Sequence, residues 1–238
     1  MNIPPRLRPL VLALTVAGAS LVAVAPVSVA AATTPPQCRY DDVLTRHSAY
    51  SDWNKTLLDT IFMVRRSYVP PSLVAVSRAN IGGSGRVRPL VIDDLRALAA
   101  AARNANSPLR VVSAHRSYAT QQYVYQREVQ RFGVVRAREQ VARPGHSEHQ
   151  LGTTLDFGTA GSSSMPWGSD WGQTRAGSWM RQNGWRFGFV MSYPRNKRGV
   201  TCYRYEPWHW RYVGRAMAAD MRGTGLTLRE YLWRKFHR

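Results

Sequence analysis

Acidic residues are scarce in this sequence. Its 238 residues include 14 Asp and Glu against 33 Lys and Arg, which gives a formal net charge of +19. A surplus of this size is typical of proteins that meet an anionic partner, either nucleic acid or an anionic cell envelope. No recognised nucleic-acid motif and no alternation of basic and aromatic residues is present. We therefore expect an anionic envelope and no nucleic acid, although a plain arginine-rich surface explains the charge equally well.

The apolar run Leu10–Val24 has only fifteen residues, which is short for a membrane span. Arg6 and Arg8 precede it, and the small residues Ala30–Ala32 follow it. This order predicts a secretory signal peptide over residues 1–32, with an uncleaved membrane anchor as the weaker alternative. The mature chain would be secreted or cell wall-associated without a stable membrane span, and about 206 residues suffice for one domain.

Cysteine is nearly absent, since Cys38 and Cys202 are the only two. In an exported protein an even count predicts one disulfide, here between the mature N-terminus and a distant part of the chain. On the chain-entropy model so long a loop contributes roughly 4–5 kcal/mol. The alternative, two metal ligands, is weaker because neither cysteine has a Cys or His nearby at ligand spacing.

The sequence has no repeats and no break in composition after residue 32. Its patterns predict an α+β domain over residues 89–238, with a motif core at 109–214, preceded by an N-terminal extension over 33–88. We expect a small antiparallel sheet that carries a cleft and is flanked by helices. The expected helical segments are Trp53–Phe62, Leu90–Asn106, Tyr118–Phe132, Arg175–Asn183, Arg215–Arg222 and Leu226–Phe236. The expected strands are Leu109–Ala114, Thr153–Phe157, Trp185–Met191 and Trp208–Val213, while Val134–Ala142 stays ambiguous.

Two short runs concentrate the scarce residue types. Arg143–Asp156 reads RPGHSEHQLGTTLD and Glu206–Trp210 reads EPWHW, and together they hold three of the six histidines and three of the 14 acidic residues. We interpret them as two halves of one metal site, with His149, Asp156 and His209 as ligands. Two imidazoles and one carboxylate leave an open position for water, as a catalytic zinc requires.

Glu206 stands three residues before His209, with Pro207 between them. A carboxylate there can act as the general base without being a ligand. Three alternatives stay open on spacing alone. His146 could be the ligand in place of His149, Asp156 could be a turn or cap residue, and H-x-x-H spacings arise by chance.

The same residues resemble the VanY-type D-alanyl-D-alanine carboxypeptidases, within the wider zinc peptidase group whose site hedgehog shares. That family pairs S-x-H-x-x-G-x-x-x-D with a later E-P-W-H-W, and carries S-G-Y-R-S-Y-x-x-Q upstream. The matching residues here run from Ser147 to Asp156, from Glu206 to Trp210 and from Ser113 to Gln121. The chain departs from the pattern at Ala114, His115 and Thr154, which affects the expected shape of the pocket more than its chemistry.

The resemblance implies a Zn2+ ion on His149, Asp156 and His209, with Glu206 as catalytic base. Arg116 would bind the substrate's carbonyl or carboxylate and stabilise the charge of the transition state, because a guanidinium suits an oxyanion. Ser147 and Gln121 would line the substrate pocket and help to hold the terminal residue.

The function implied is a secreted zinc metallopeptidase that removes C-terminal D-alanine from peptidoglycan stem peptides. An L,D-carboxypeptidase or a peptidoglycan endopeptidase would use the same catalytic residues, so the sequence does not separate them. A hypothesis of another class is a catalytically inactive cell-wall binding protein. An intact Glu206 argues against it, since a binding protein needs no base.

Overall fold

The computed structural model of the protein describes Met1 and residues 33–237. The expected signal peptide at 1–32 therefore lies almost wholly outside the described residues. Within the described residues, no helix combines the length and apolarity that crossing a membrane requires. Residues 33–237 fall within one compact unit, so the segment expected as an extension and the segment expected as the domain pack together.

The described chain alternates short strands and helices. The strands are β1 Val43–Leu44, β2 Phe62–Met63, β3 Val74–Ala75, β4 Gly82–Gly83, β5 Arg86–Val87, β6 Leu109–Ser113, β7 Thr154–Thr159, β8 Phe189–Met191 and β9 His209–Tyr212. The α-helices are α1 Ile92–Asn104, α2 Tyr118–Gln140, α3 Arg175–Asn183, α4 Arg198–Thr201, α5 Arg215–Thr224 and α6 Leu228–Leu232. Short 3₁₀ turns lie at Tyr50–Asp52, Val76–Ala79, Pro89–Val91, Glu148–Leu151, Trp171–Gln173 and Gly184–Phe187, and a π-helical turn at Trp233–His237.

A five-stranded sheet in the order β4-β6-β7-β9-β8 carries the two halves of the expected site. Strands β6, β7, β9 and β8 pair antiparallel, as expected, and the register sets Asp156 opposite His209. Directly opposite residues of an antiparallel pair project from the same face, so this register brings the two side chains together. The α+β fold class is confirmed.

The edge strand β4 departs from the expected antiparallel sheet, because it pairs with β6 in parallel. Parallel neighbours need a long crossover connection, which is usually a helix. Here α1 lies between β4 and β6 in the chain and supplies that crossover. Its predicted apolar stripe is buried in the main core, at Ile92, Leu95, Leu98, Ala99 and Ala102.

The helix expected over Trp53–Phe62 is wrong. Leu57 packs into the cluster around α5 and α6, whereas Leu58 packs into a separate cluster, so the apolar residues do not share one face. The Asp59 carboxylate also accepts the backbone N–H groups of Ile61 (2.7 Å) and Phe62 (2.8 Å). Such local side-chain bonds favour a turn over a helix.

Two other boundaries differ because of glycines with positive φ. The strand expected over Trp185–Met191 begins only at Phe189, because Gly184–Phe187 is a 3₁₀ turn that ends at Gly188 with φ 84°. Gly133, with φ 77°, interrupts the helix at the expected place, but the helix resumes and runs to Gln140. The ambiguous segment after Gly133 is therefore mostly helical.

The N-terminal segment is fixed to the rest by the expected disulfide. Cys38 and Cys202 are bonded, with their Cα atoms 5.3 Å apart. Arg229, which is buried, reaches the same segment, since its Nε donates to Asp59 at 2.6 Å and its Nη2 to the Pro36 carbonyl at 3.0 Å. The alternative use of the two cysteines as metal ligands is excluded.

Candidate active site

His149, Asp156 and His209 converge at one point, as their spacing predicts. One candidate ligand atom from each lies within 4.8 Å of the others, and all three side chains are buried. His149 is on the 3₁₀ turn before β7, Asp156 is on β7, and His209 begins β9. The interpretation of Asp156 as a mere turn or cap residue is wrong, because it lies within a central strand.

His149 presents one free nitrogen to the site. Its Nδ1 donates to the Ala114 carbonyl at 2.6 Å, and its Nε2 lies 3.2 Å from Oδ2 of Asp156. Burial and then the charge of Arg116 lower the pKa of His149 to about 4, so the ring is neutral and its Nε2 lone pair is available.

The alternative ligand His146 lies elsewhere. Its Nδ1 contacts the Asp59 carbonyl at 2.8 Å and its Nε2 the Asp42 carboxylate at 3.0 Å. Both nitrogens are therefore engaged with the N-terminal segment. The structure favours His149 over His146 as the ligand.

His209 approaches from the opposite side with the other ring nitrogen. Its Nδ1 lies 3.3 Å from Oδ1 of Asp156, and its Nε2 donates to Oε2 of Glu148 at 2.9 Å. Burial disfavours its charged form, but the nearby carboxylates of Asp156 and Glu148 outweigh this and raise the pKa of His209 to about 10. A cation that binds at Nδ1 would therefore displace a proton.

The residues present fit a metal ion. His149 Nε2 and Asp156 Oδ1 are buried without any hydrogen-bond partner, which is costly unless a ligand satisfies them. Burial acts to raise the pKa of Asp156, but His149 and His209 outweigh it and hold the pKa well below its usual range, so the carboxylate is ionised. Two imidazoles and a carboxylate in this geometry suit zinc.

Glu148 is a further site residue, whose role no sequence motif indicates. Besides His209, its carboxylate accepts Ser192 Oγ at 2.6 Å and Arg211 Nη1 at 3.0 Å. Burial acts to raise the pKa of Glu148, but the charge of Arg211 and the bonds from His209 and Ser192 bring it down to about 2. An ionised carboxylate on the far nitrogen of a ligand histidine fixes its tautomer and its orientation.

Part of this support could be read from the sequence. Residues two apart on a strand share a face, so Arg211 had to lie beside His209 on β9. Glu148, one of few acidic residues, adjoins His149. A buried arginine on the same face as a ligand predicts a carboxylate partner.

Glu206 and Arg116 flank the three ligands. Oε2 of Glu206 lies 3.7 Å from Nδ1 of His209, and Nη2 of Arg116 lies 3.9 Å from Oδ2 of Asp156. Burial raises the pKa of Glu206 to about 7, against the opposing charge of His209. A carboxylate poised near neutral pH is suited to taking and returning a proton.

These groups open onto a cleft of about 710 Å³. Arg116, Asp156, Glu206 and His209 line it, together with the predicted pocket residues Ser147 and Gln121. Gln121 Nε2 donates to the Ala142 carbonyl at 2.7 Å, while its Oε1 is buried without a partner. Trp167 and Trp208 form an edge-on aromatic pair at the lining, with ring centroids 6.3 Å apart.

The arrangement combines three chemical capacities in one enclosed place. It can hold a divalent cation, it carries a carboxylate that exchanges a proton, and it offers a guanidinium for a carboxylate or a developing negative charge. This set is typical of metal-dependent hydrolysis of an amide bond.

Curated relatives agree with this chemistry. The putative carboxypeptidase YodJ of Bacillus subtilis is 39% identical over 145 residues, which cover 61% of this chain and 53% of that protein. A D-alanyl-D-alanine carboxypeptidase of Enterococcus faecalis is 31% identical over 182 residues, which cover 73% of this chain and 65% of that protein. The matches thus span between about half and two-thirds of the length of these relatives.

Solved structures agree as well. The LdcB LD-carboxypeptidase superposes with a TM-score of 0.67 at 32% identity, over 75% of this chain and 85% of that chain. A mutant of the vancomycin-resistance D,D-pentapeptidase VanY, in complex with Zn(II), superposes with a TM-score of 0.64 at 30% identity, over 76% of this chain and 99% of that chain. The family described as VanY, D-alanyl-D-alanine carboxypeptidase, matches residues 84–215, which is more than half of the sequence. The chain therefore belongs to the VanY family of D-alanyl-D-alanine carboxypeptidases.

Proposed function

We propose that this protein is a secreted, zinc-dependent D,D-carboxypeptidase that removes C-terminal D-alanine from peptidoglycan stem peptides. One observation carries the proposal. His149, Asp156 and His209 converge with unsatisfied buried ligand atoms, and Glu206 lies within 3.7 Å of that group at the wall of the cleft. Family membership and the D-alanyl-D-alanine activity of the Enterococcus faecalis relative support the choice of substrate.

Zinc is the cofactor that we propose for the three ligands. Nε2 of His149, the Asp156 carboxylate and Nδ1 of His209 would hold it, and the Zn(II) complex of the VanY pentapeptidase supports this choice. When bound, the ion would polarise the scissile carbonyl and activate a water molecule. The Ala114 carbonyl and Glu148 keep both rings turned towards it.

Glu206 and Arg116 perform the remaining chemistry. Glu206 takes a proton from the attacking water and returns it to the leaving D-alanine amine. Arg116 binds the negative charge that develops on the carbonyl oxygen or the carboxylate of the substrate, and its partly exposed side chain lies 3.9 Å from Asp156. Ser147 and Gln121 complete the wall that holds the terminal residue.

A second candidate is an L,D-carboxypeptidase with the same residues. The superposition on LdcB, an LD-carboxypeptidase, favours it. An endopeptidase that cuts cross-bridges would also share this chemistry. Mass spectrometry of digested muropeptides separates the three, because the two carboxypeptidases leave different terminal residues and the endopeptidase splits cross-linked dimers into monomers.

Export to the cell wall is part of the proposal. The Cys38–Cys202 disulfide supports it, since disulfides persist in oxidising compartments. The net charge of +19 favours attraction to an anionic envelope over any specific contact. In this reading the inactive cell-wall binding protein is disfavoured, because a binding protein would not keep Glu206 poised beside the ligands.

The decisive test is release of D-alanine from muropeptides that end in D-Ala-D-Ala. Purified protein is assayed with and without a chelator, beside the Glu206→Ala variant. We expect chelation to abolish release and zinc to restore it, and Glu206→Ala to bind zinc without turnover. Release that survives either treatment would refute the proposed function.

A further inference from the structure

A second pocket, of about 390 Å³, lies at the open edge of the five-stranded sheet. All three residues of the edge strand β8 line it, and parts of α3, α5 and α6 close it. Its floor is apolar, with Trp185, Met191, Met221 and Leu226 as large side chains. None of the residues that the proposed reaction uses lies in this pocket.

Four cations line the second pocket and no acidic residue does. Arg195 pairs with Asp170, but no carboxylate of the described residues lies within ion-pair distance of the other three, Arg181, Lys197 and Arg222. Uncompensated cations around one cavity raise the local concentration of anions. The lining therefore suits a ligand that carries carboxylates or phosphates.

The aromatic floor and the basic rim adjoin each other. The Arg222 guanidinium lies 6.0 Å from the centroid of the Trp185 ring. An anion bound at this arginine would bring its own apolar groups against the tryptophan. This combination suits a compact acid with methyl and methylene groups better than a bare inorganic ion.

Tyr205 links the second pocket to the catalytic cleft, because it lines both. On the side of the second pocket, the Arg195 guanidinium lies 4.3 Å from the Tyr205 ring centroid. On the side of the cleft, Tyr193 packs against His209, with ring centroids 4.7 Å apart. A chain whose end lies in the cleft would pass Tyr205 to reach the second pocket.

We propose that the second pocket is a subsite for the acidic body of the peptidoglycan peptide whose terminus lies in the cleft. The inference rests on the proposed function and deepens it. The body of such a peptide carries free carboxylates for the unpaired cations and aliphatic groups for the floor. Binding energy from this remote contact favours long substrates over short ones without touching the reacting bond.

A phosphodiester polymer of the envelope would also be attracted to three cations. It gains less from a floor of tryptophan and methionine, and it lacks the peptide terminus that the proposed reaction acts on. The link through Tyr205 therefore favours the peptide. Binding of such a polymer in the second pocket is one of the outcomes that the test distinguishes.

The test compares two substrates in a double variant, Arg181→Gln with Arg222→Gln. The substrates are a muropeptide that ends in D-Ala-D-Ala and the short acetyl-D-Ala-D-Ala. We expect kcat/KM for the muropeptide to fall about threefold to tenfold, as the loss of two exposed charge contacts implies, and kcat/KM for the short substrate to stay unchanged. The matched control is Arg65→Gln with Arg175→Gln, which removes the same charge from exposed arginines outside both pockets and should alter neither value.

Three kinetic results would overturn the inference: an equal loss for both substrates, an equal loss in the control, or no loss for the muropeptide. If the wild-type protein hydrolyses neither substrate, the proposed function fails, and calorimetric titration with the muropeptide then decides the inference. Weaker binding in the double variant than in the control supports the subsite, and equal or absent binding refutes it. Loss of binding to a glycerol phosphate polymer, with muropeptide binding unchanged, would assign the pocket to the polymer instead.

Discussion

At the scale of single residues, the metal site depends on a carboxylate that is not one of the three candidate ligands. Glu148 accepts Nε2 of His209 at 2.9 Å and offsets the charge of Arg211, whose Nη1 lies 3.0 Å away. We expect Glu148→Gln to weaken zinc binding about 10-fold to 100-fold, because glutamine keeps the shape but loses the charge that orients the ligand ring. Competition with a chromogenic chelator measures this affinity.

The same substitution leaves Arg211 buried beside a neutral partner, so it should also lower the free energy of unfolding in urea. Breaking a buried pair in this way costs about 3–5 kcal/mol. Glu139→Gln is the matched control, since Glu139 is a partly exposed carboxylate that pairs with Arg198 on the surface. Zinc affinity as high in the Glu148 variant as in this control would contradict the supporting role.

The ligands could be predicted from the sequence because they lie in short local motifs. Scarce residue types cluster there, which limits the candidates to a few positions. Two points required the fold. The choice of His149 over His146 depends on contacts with Asp42 and Asp59, far away in sequence, and the role of Glu148 depends on the burial of Arg211.

His115 stands where the family pattern has tyrosine, and its titration makes the folded protein less stable at acid pH. Burial and then the charge of Arg86 lower the pKa of His115 below 6.5. Between that lowered pKa and 6.5 the unfolded chain binds the proton and the folded chain does not, so the free energy of unfolding falls as pH falls. The contribution is at most about 1.4 kcal/mol per pH unit.

We expect His115→Tyr to remove this dependence of the unfolding free energy on pH. Any other effect of the substitution on stability should be the same at every pH. Urea unfolding at pH 8.0, 7.0, 6.0 and 5.0 of both proteins measures the difference. His237, whose pKa burial also lowers, contributes in the same direction in both proteins and cancels in the difference. Parallel curves for the two proteins below pH 6.5 would show that His115 does not contribute.

At the scale of elements, a single glycine ends the turn that presents His149. Gly152 has φ 73°, and a Cβ there would lie 3.0 Å from Arg88 Cγ and 3.0 Å from Leu73 Cδ2. Gly152→Ala would therefore combine backbone strain with crowding. We expect it to lower the free energy of unfolding by roughly 2–4 kcal/mol and to weaken zinc binding.

Gly161 supplies a matched control for Gly152. It has a similar φ of 77°, but a Cβ there would meet no atom within 4 Å. Gly161→Ala should show only the cost of the backbone conformation, about 1–2 kcal/mol, with zinc affinity unchanged. Equal effects of the two substitutions on stability and on zinc affinity would mean that crowding at Gly152 does not reach His149.

Elements with one continuous apolar face were the ones that the sequence predicted well. Helix α1 buries its stripe against a single core, and α3 begins and ends at the predicted residues. Trp53–Phe62 shows the same spacing, yet its apolar side chains separate into different clusters. Helical spacing shows that apolar residues recur at intervals. It does not show whether their side chains pack into the same cluster.

At the scale of the whole molecule, the N-terminal segment supplies the partners that the site leaves unsatisfied. Arg211 Nη2 donates to the Trp53 carbonyl at 2.7 Å, and Gln150 Nε2 donates to the Arg65 carbonyl at 3.2 Å. These acceptors are backbone carbonyls, which every residue has. No sequence pattern therefore marked residues 33–88 as part of the support for the site.

The disulfide is the covalent link that holds this segment in place. We expect it to raise the free energy of unfolding. Cys38 and Cys202 are separated by 164 residues, so reduction restores a large amount of conformational freedom to the unfolded chain. We expect the Cys38→Ser, Cys202→Ser double variant to lose up to about 5 kcal/mol of unfolding free energy on the chain-entropy model. In the folded state the contacts of Arg229 with Asp59 and Pro36 remain, so zinc affinity at low temperature should be unchanged.

Urea unfolding of the oxidised protein, the reduced protein and the double variant measures the effect, with the reduced protein as the control that has no substitution. The reduced protein and the double variant should unfold together, and an oxidised protein that unfolds with them would show that the bridge does not stabilise the fold.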